Sequence, residues 1–224
     1  MGIMSSAWRN RVLDLLYPRK CPFCQRILSD QDQPLCGACQ PGLPWLVGQE
    51  AGRKVDFAEI CLSPLRYRGA VPEAVHRYKF GRKRSYGAKF GQLIAQCVQD
   101  RNLPELDLVT WPPLSRKRLR ERGFDQAELL ARWTAEYLRV PVVPTLKKSR
   151  HTTAQSGLRE ASARRANALG AYELRPGADL RGKTVLLVDD VVTSGATLGE
   201  CARLLRQEGA VVFCATLAQA REED

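Results

Sequence analysis

The chain has 224 residues, 44% of them hydrophobic, and a formal net charge of +11. That length supports one good-sized domain, or one domain with a small accessory module, and buries a core without disulfides. No apolar run approaches the roughly 18 residues of a membrane span and no apolar leader is evident, so neither membrane insertion nor secretion is expected, and the cytoplasm, where thiols stay reduced, is the expected location.

The first residues, 7–16, place Trp8, Val12, Leu15 and Leu16 on one face of a short helix that Pro18 ends. Cys21 and Cys24 follow, then Cys36 and Cys39, each pair with two residues between its cysteines. Two such knuckles in a reduced compartment point to a four-thiolate zinc site, structural because all four ligand positions are filled. A redox dithiol is the competing reading, but it needs only one of the two pairs. Residues 1–50 are therefore expected to form a helix and zinc module, and residues 51–224 the main domain. Within the junction, 42–57 is rich in Gly and Pro and reads as a linker.

Residues 59–67 read as a strand with Cys61 in the core. From Arg66 to Lys89 eight basic residues face one acid, Glu73, and Tyr67, Tyr78, Phe80, Tyr86 and Phe90 are interleaved among them. Cations that neutralise a backbone beside rings that stack bases suit single-stranded DNA, with Arg77, Lys79, Arg82, Lys83 and Arg84 as the contacts. The alternative is two ordinary helices with aromatic residues inside and basic residues outside. A helix over 85–101 and a strand over 106–111 come next. After them Pro113, Leu114, Ser115 and Arg116 open a basic stretch suited to pyrophosphate. A helix runs from Phe124 or Asp125 to Leu138, and 140–146 reads as a strand. The hydroxyl-rich segment 147–160, with Arg150, His151 and Gln155, has no apolar periodicity and reads as a lid.

The strongest signal is the run from Val185 to Thr197, V-L-L-V-D-D-V-V-T-S-G-A-T. Four apolar residues read as a buried strand of a parallel sheet, and 198–207 as the helix after it. Asp189 and Asp190 then stand at the carboxyl end of the strand, where α/β sheets bind ligands. Thr193, Ser194, Gly195 and Thr197 form a turn whose amides and hydroxyls suit a phosphate. Two carboxylates one step upstream suit the hydroxyls of a ribose 5-phosphate. Residues 211–217 form a closing strand.

This run resembles the phosphoribosyl pyrophosphate (PRPP) signature of type I phosphoribosyltransferases. The resemblance implies that Asp189 and Asp190 hold the ribose hydroxyls and that Val191, Val192, Thr193, Ser194, Gly195, Ala196 and Thr197 hold the 5-phosphate, with Mg2+ accompanying PRPP. Over 16–217 the chain resembles the ComF family. The match is carried by Leu16-Tyr17-Pro18 before the cysteine pairs, Lys79-Phe80, Pro112 to Ser115, Arg118 to Glu128, Thr152 with Gln155, and the PRPP run. It implies a type I phosphoribosyltransferase-like α/β fold, a mostly parallel sheet flanked by helices, plus the small four-cysteine module. It further implies a role in DNA uptake or utilisation, beside other competence proteins. Two readings stay open: a phosphoribosyltransferase of unknown acceptor, and a non-catalytic PRPP or nucleotide sensor that binds single-stranded DNA.

Overall fold

The computed structural model describes residues 19–28, 30, 33–81, 83–149 and 168–220. Its regular elements are β1 (Gly52–Arg53), β2 (Cys61–Leu62), β3 (Leu65–Arg66), α1 (Val71–Phe80), α2 (Tyr86–Gln99), β4 (Leu108–Thr110), α3 (Arg116–Arg122), α4 (Gln126–Leu138), β5 (Leu146–Lys148), β6 (Tyr172–Leu174), β7 (Thr184–Val192), α5 (Ala196–Gln207) and β8 (Val211–Gln219). Strands β7 and β8 pair in parallel along their length and form the spine of the sheet. The order is β1-β2-β8-β7-β4, with β3 also on β8, and only β1 runs antiparallel to its neighbour.

Val185, Leu186, Leu187 and Val188 are fully buried because both faces of the sheet are covered. Leu186 and Val188 point into the core that contains Phe90, Ile94 and Leu130 of α2 and α4. Val185 and Leu187 point the other way, into the core that contains Leu198, Cys201 and Leu205 of α5. Helices α2 and α4 approach closely at Gly91, where a β-carbon would stand 2.5 Å from the Trp133 side chain.

Several boundaries differ from the sequence expectation. The strand expected over 59–67 is split, because Pro64 donates no hydrogen bond and Ser63 turns aside, its amide bonding Ala51 O at 2.8 Å and its hydroxyl Thr216 Oγ1 at 2.7 Å. The strand expected over 140–146 fails for a similar reason: Pro141 and Pro144 bracket it, leaving one bridge at Val142 to Val109. The 42–57 segment is no free linker, since Leu43, Leu46, Ala51 and Val55 are buried. Strand β8 was expected to close the sheet but lies inside it, between β7 and β2/β3. Expectations for 7–16 and for most of 147–160 fall outside the described residues. No helix among the described residues is long and apolar enough to cross a membrane.

Candidate functional site

Strand β7 continues through the acids to Val192, so Asp189 and Asp190 are held by the sheet itself. Successive side chains point to opposite faces, yet both acids line one cleft of about 610 Å³ above the carboxyl end of the strand. Asp190 is buried and its carboxylate pairs with Lys79 Nζ of α1 at 2.7 Å. Asp189 accepts the Asp190 amide at 2.8 Å. Burial, then the charge of Asp190, holds the Asp189 carboxyl well above the usual carboxylate range, while that amide and Lys79 pull it down.

Residues 193–195 make the turn from β7 into α5. Gly195 sits at φ 76°, in the left-handed region, and a β-carbon there would meet Val55 at 3.3 Å. The 12-residue helix α5 begins at Ala196, so its N-terminus, the positive end of its dipole, opens towards the same cleft that residues 189–198 line.

The opposite wall is built from scattered segments. Pro112, Pro113 and Leu114 follow β4, and the Leu114 amide is held by Asp125 Oδ2 at 2.8 Å. The other oxygen of Asp125 caps α4 by accepting the amides of Ala127 at 3.1 Å and Glu128 at 3.2 Å. Burial raises the Asp125 carboxyl to about 6 against those three donors. Arg118 and Arg122 of α3 and Lys148 of β5 add positive charge to the cleft. Lys148 Nζ donates to Tyr172 Oη at 3.1 Å, and burial, followed by the charge of Arg118, lowers it to about 8. The mouth carries Tyr67, His76 and Phe80, with the Arg122 guanidinium 4.9 Å from the Phe80 ring centre.

Away from the cleft, the sulfurs of Cys21, Cys24, Cys36 and Cys39 lie within 4.8 Å of one another, Cys24 and Cys36 at 3.5 Å. A zinc ion bonded at about 2.3 Å to four thiolates requires sulfur separations of roughly 3.8 Å, so the donor set and its spacing fit zinc. Phe23, between the first two cysteines, is buried and packs 6.0 Å from Phe90 of α2.

Known proteins match the same two regions. Residues 12–61 match the double zinc ribbon domain and residues 125–224 the phosphoribosyl transferase domain. A DNA utilization protein of Salmonella typhi is 31% identical over 87% of this chain and 82% of that one. The chain belongs to the ComF family. A second relative, competence protein F of Haemophilus influenzae, is 33% identical over 84% of this chain and 85% of its own. A 41-residue stretch, 18% of this chain, is 49% identical to 23% of the adenine phosphoribosyltransferase of Mycobacterium avium. This ComF chain thus joins a phosphoribosyltransferase-type α/β domain to a zinc ribbon.

The structure brings Asp189 to Thr197 together with Pro113 and Leu114 in the cleft. Ser115 instead caps α3, accepting the Arg118 amide at 3.4 Å, and Arg116 is exposed outside the lining. Arg150, His151, Gln155 and Arg82 lie outside the described residues. The residues of the stretch expected to bind DNA are dispersed over the fold. Tyr78, Tyr86 and Phe90 are core residues, because Val71, Ala74, Val75 and Tyr78 follow a buried helical stripe. Arg77 donates to the Pro22 and Phe23 carbonyls and Lys79 enters the cleft, while Arg68, Lys83 and Arg84 are exposed. Sequence reasoning missed the cleft roles of Arg118, Arg122, Lys148 and Tyr172. The first two stood in a quoted motif, but nothing local connects Lys148 with Tyr172.

Proposed function

We propose that this cleft binds PRPP and transfers its phosphoribosyl group, in a protein that serves the use or uptake of external DNA. The observation that carries the reading is the meeting, in one cleft, of an acid pair (Asp190 buried, Asp189 half-buried), a hydroxyl-rich turn opening a helix, and a cationic wall. The turn from Thr193 to Thr197 and the first amides of α5 take the 5-phosphate. Asp189 and Asp190 accept the ribose hydroxyls. Arg118 and Lys148, with the loop that Asp125 holds, face the pyrophosphate. In the transfer, the bond from C1 to the pyrophosphate oxygen breaks and its electron pair leaves with pyrophosphate. A nucleophile on the acceptor then bonds C1. Positive charge develops on the ring in between, and the acid pair beneath it stabilises that charge in a site of low dielectric.

Mg2+ fits the carboxylate oxygens of the pair, with Asp189 the better placed because Asp190 is engaged by Lys79. The ion supplies charge neutralisation on the pyrophosphate when bound. The role in DNA use rests on the names of the relatives, a DNA utilization protein and a competence protein. Direct stacking of single-stranded DNA along 66–89 has little support, since most of the rings that would stack bases are interior.

The test is calorimetric titration of the zinc-loaded chain with PRPP and Mg2+, followed by an assay for pyrophosphate release with candidate acceptors. Wild type is expected to bind, and Asp189→Asn with Asp190→Asn to weaken binding about 100-fold, the loss of two charge-assisted hydrogen bonds. Absence of wild-type binding overturns the reading. Binding without release from any acceptor removes the transferase and leaves a PRPP-binding protein.

A further inference from the structure

Helix α1 touches both functional regions of the molecule, and it does so with residues two apart. Residues at that spacing project about 200° apart around a helix, so they reach opposite sides. On one side Arg77 donates from Nη2 to the carbonyls of Pro22 and Phe23, each at 2.8 Å. Those carbonyls belong to the turn between Cys21 and Cys24. Its other terminal nitrogen pairs with Glu73, one turn earlier on the same helix. On the other side Lys79 pairs with Asp190 at 2.7 Å. Between them Tyr78 is fully buried, stacks edge-on to Phe90 at 5.5 Å, and donates to the Gln126 carbonyl at the start of α4 at 2.9 Å.

We propose that α1 is a rigid brace between the four-cysteine knuckle and the acid pair, with Arg77 and Lys79 as its two positioning residues. The knuckle is then a support of the cleft rather than a separate binding module. This rests on the PRPP reading of the cleft.

The physical case has three parts. Metal bonding to Cys21 and Cys24 fixes the turn between them, and only a fixed turn keeps two carbonyls aimed at one guanidinium. Arg77 is half-buried, so a loosened knuckle leaves its charge without those acceptors and α1 shifts to rehydrate it. The helix has ten residues, and Lys79 lies in its final turn, next to the end at Gly81. Movement at Arg77 is therefore carried directly to the Lys79–Asp190 pair. Phe23 adds an apolar contact to the same joint, through Phe90 to Tyr78.

The experiment measures binding of ribose 5-phosphate by calorimetry to the full chain, with zinc content determined by emission spectrometry on the same samples. Arg77→Met is expected to keep its zinc and to bind ribose 5-phosphate about tenfold more weakly, within the range of couplings carried through packed elements. Lys79→Met is expected to weaken binding at least as much, and the double variant no further than Lys79→Met alone, because the two act in series. Removing zinc from wild type should reproduce the Arg77→Met loss and should add nothing in that variant. Arg77→Lys, which keeps the charge but is shorter and lacks the second nitrogen that pairs with Glu73 while the first holds the carbonyls, serves if Arg77→Met does not fold. A zinc-loaded Arg77 variant that binds within about twofold of wild type overturns the brace, as do losses that multiply in the double variant. If wild type itself fails to bind ribose 5-phosphate, the PRPP reading has failed instead.

Discussion

The two sides of the cleft are made in different ways. Its floor is one uninterrupted stretch, Asp189 to Leu198, in which strand, turn and helix follow directly and the ligand-facing groups are largely backbone amides and short side chains. Its wall is assembled from long side chains on α1, α3 and the antiparallel pair β5 and β6, drawn from positions between Lys79 and Tyr172. A floor of this kind is fixed once the sheet forms, and little in it can vary without changing the backbone. The wall depends on packing between distant elements, and each of its cations can be exchanged singly. The contrast teaches that recognition of the sugar phosphate is local, whereas the charge balance around it is a property of the whole fold.

The sharpest way to break this contrast is the acid-pair variant, whose loss of PRPP binding should exceed that of any single wall substitution. Lys79→Met comes next and blurs the division, because this wall residue acts on a floor residue. Lys79 is one of the groups holding the Asp189 carboxyl down. Its removal raises that group further, so the acidic limb of ribose 5-phosphate binding should move to higher pH, as read by calorimetry across a pH series.

Smaller effects separate the wall from the floor. Arg118→Met and Lys148→Met should each weaken pyrophosphate binding by about three- to tenfold and leave ribose 5-phosphate affinity almost unchanged. Equal weakening of both ligands would show the wall serving the sugar as well. The last effect is on stability. With no ligand or Mg2+ bound, Asp189 keeps a proton in the folded chain that the unfolded chain releases in the ordinary carboxylate range. Stability is therefore lost as pH rises from that range until the folded group itself ionises. Asp189→Asn escapes this loss, so its melting temperature should exceed that of wild type by a margin widening with pH to on the order of 5 °C. A margin that narrows with pH would contradict the raised carboxyl.

How far the sequence could be read follows the same division. The floor was legible because its chemistry is contiguous, and strand periodicity, paired acids and a glycine turn each leave a local mark. The cysteine cluster was legible for the same reason, since ligand spacing is local. The Lys79–Asp190 pair spans the chain and leaves no local mark at all. In the 66–89 stretch, composition left two readings open, because rings that stack bases and rings that fill a core have the same chemistry. The stripe of Val71, Ala74, Val75 and Tyr78 carried the distinction. Prolines at 64, 141 and 144 likewise marked where strands stop, although the apolar runs around them suggested continuous strands.

The place of β8 in the sheet has a consequence for how the protein is made. Strands β2 and β3, completed by residue 66, find their parallel partner only at residues 214–219. At about 5–20 residues per second, a ribosome needs roughly 8–30 s to cross that interval. Through that time the edge that β8 will cover stays open on a nascent chain whose core is half assembled. Such an edge is a template for wrong pairing. The yield of this protein should therefore depend on what shelters it during synthesis, more than its finished stability would suggest.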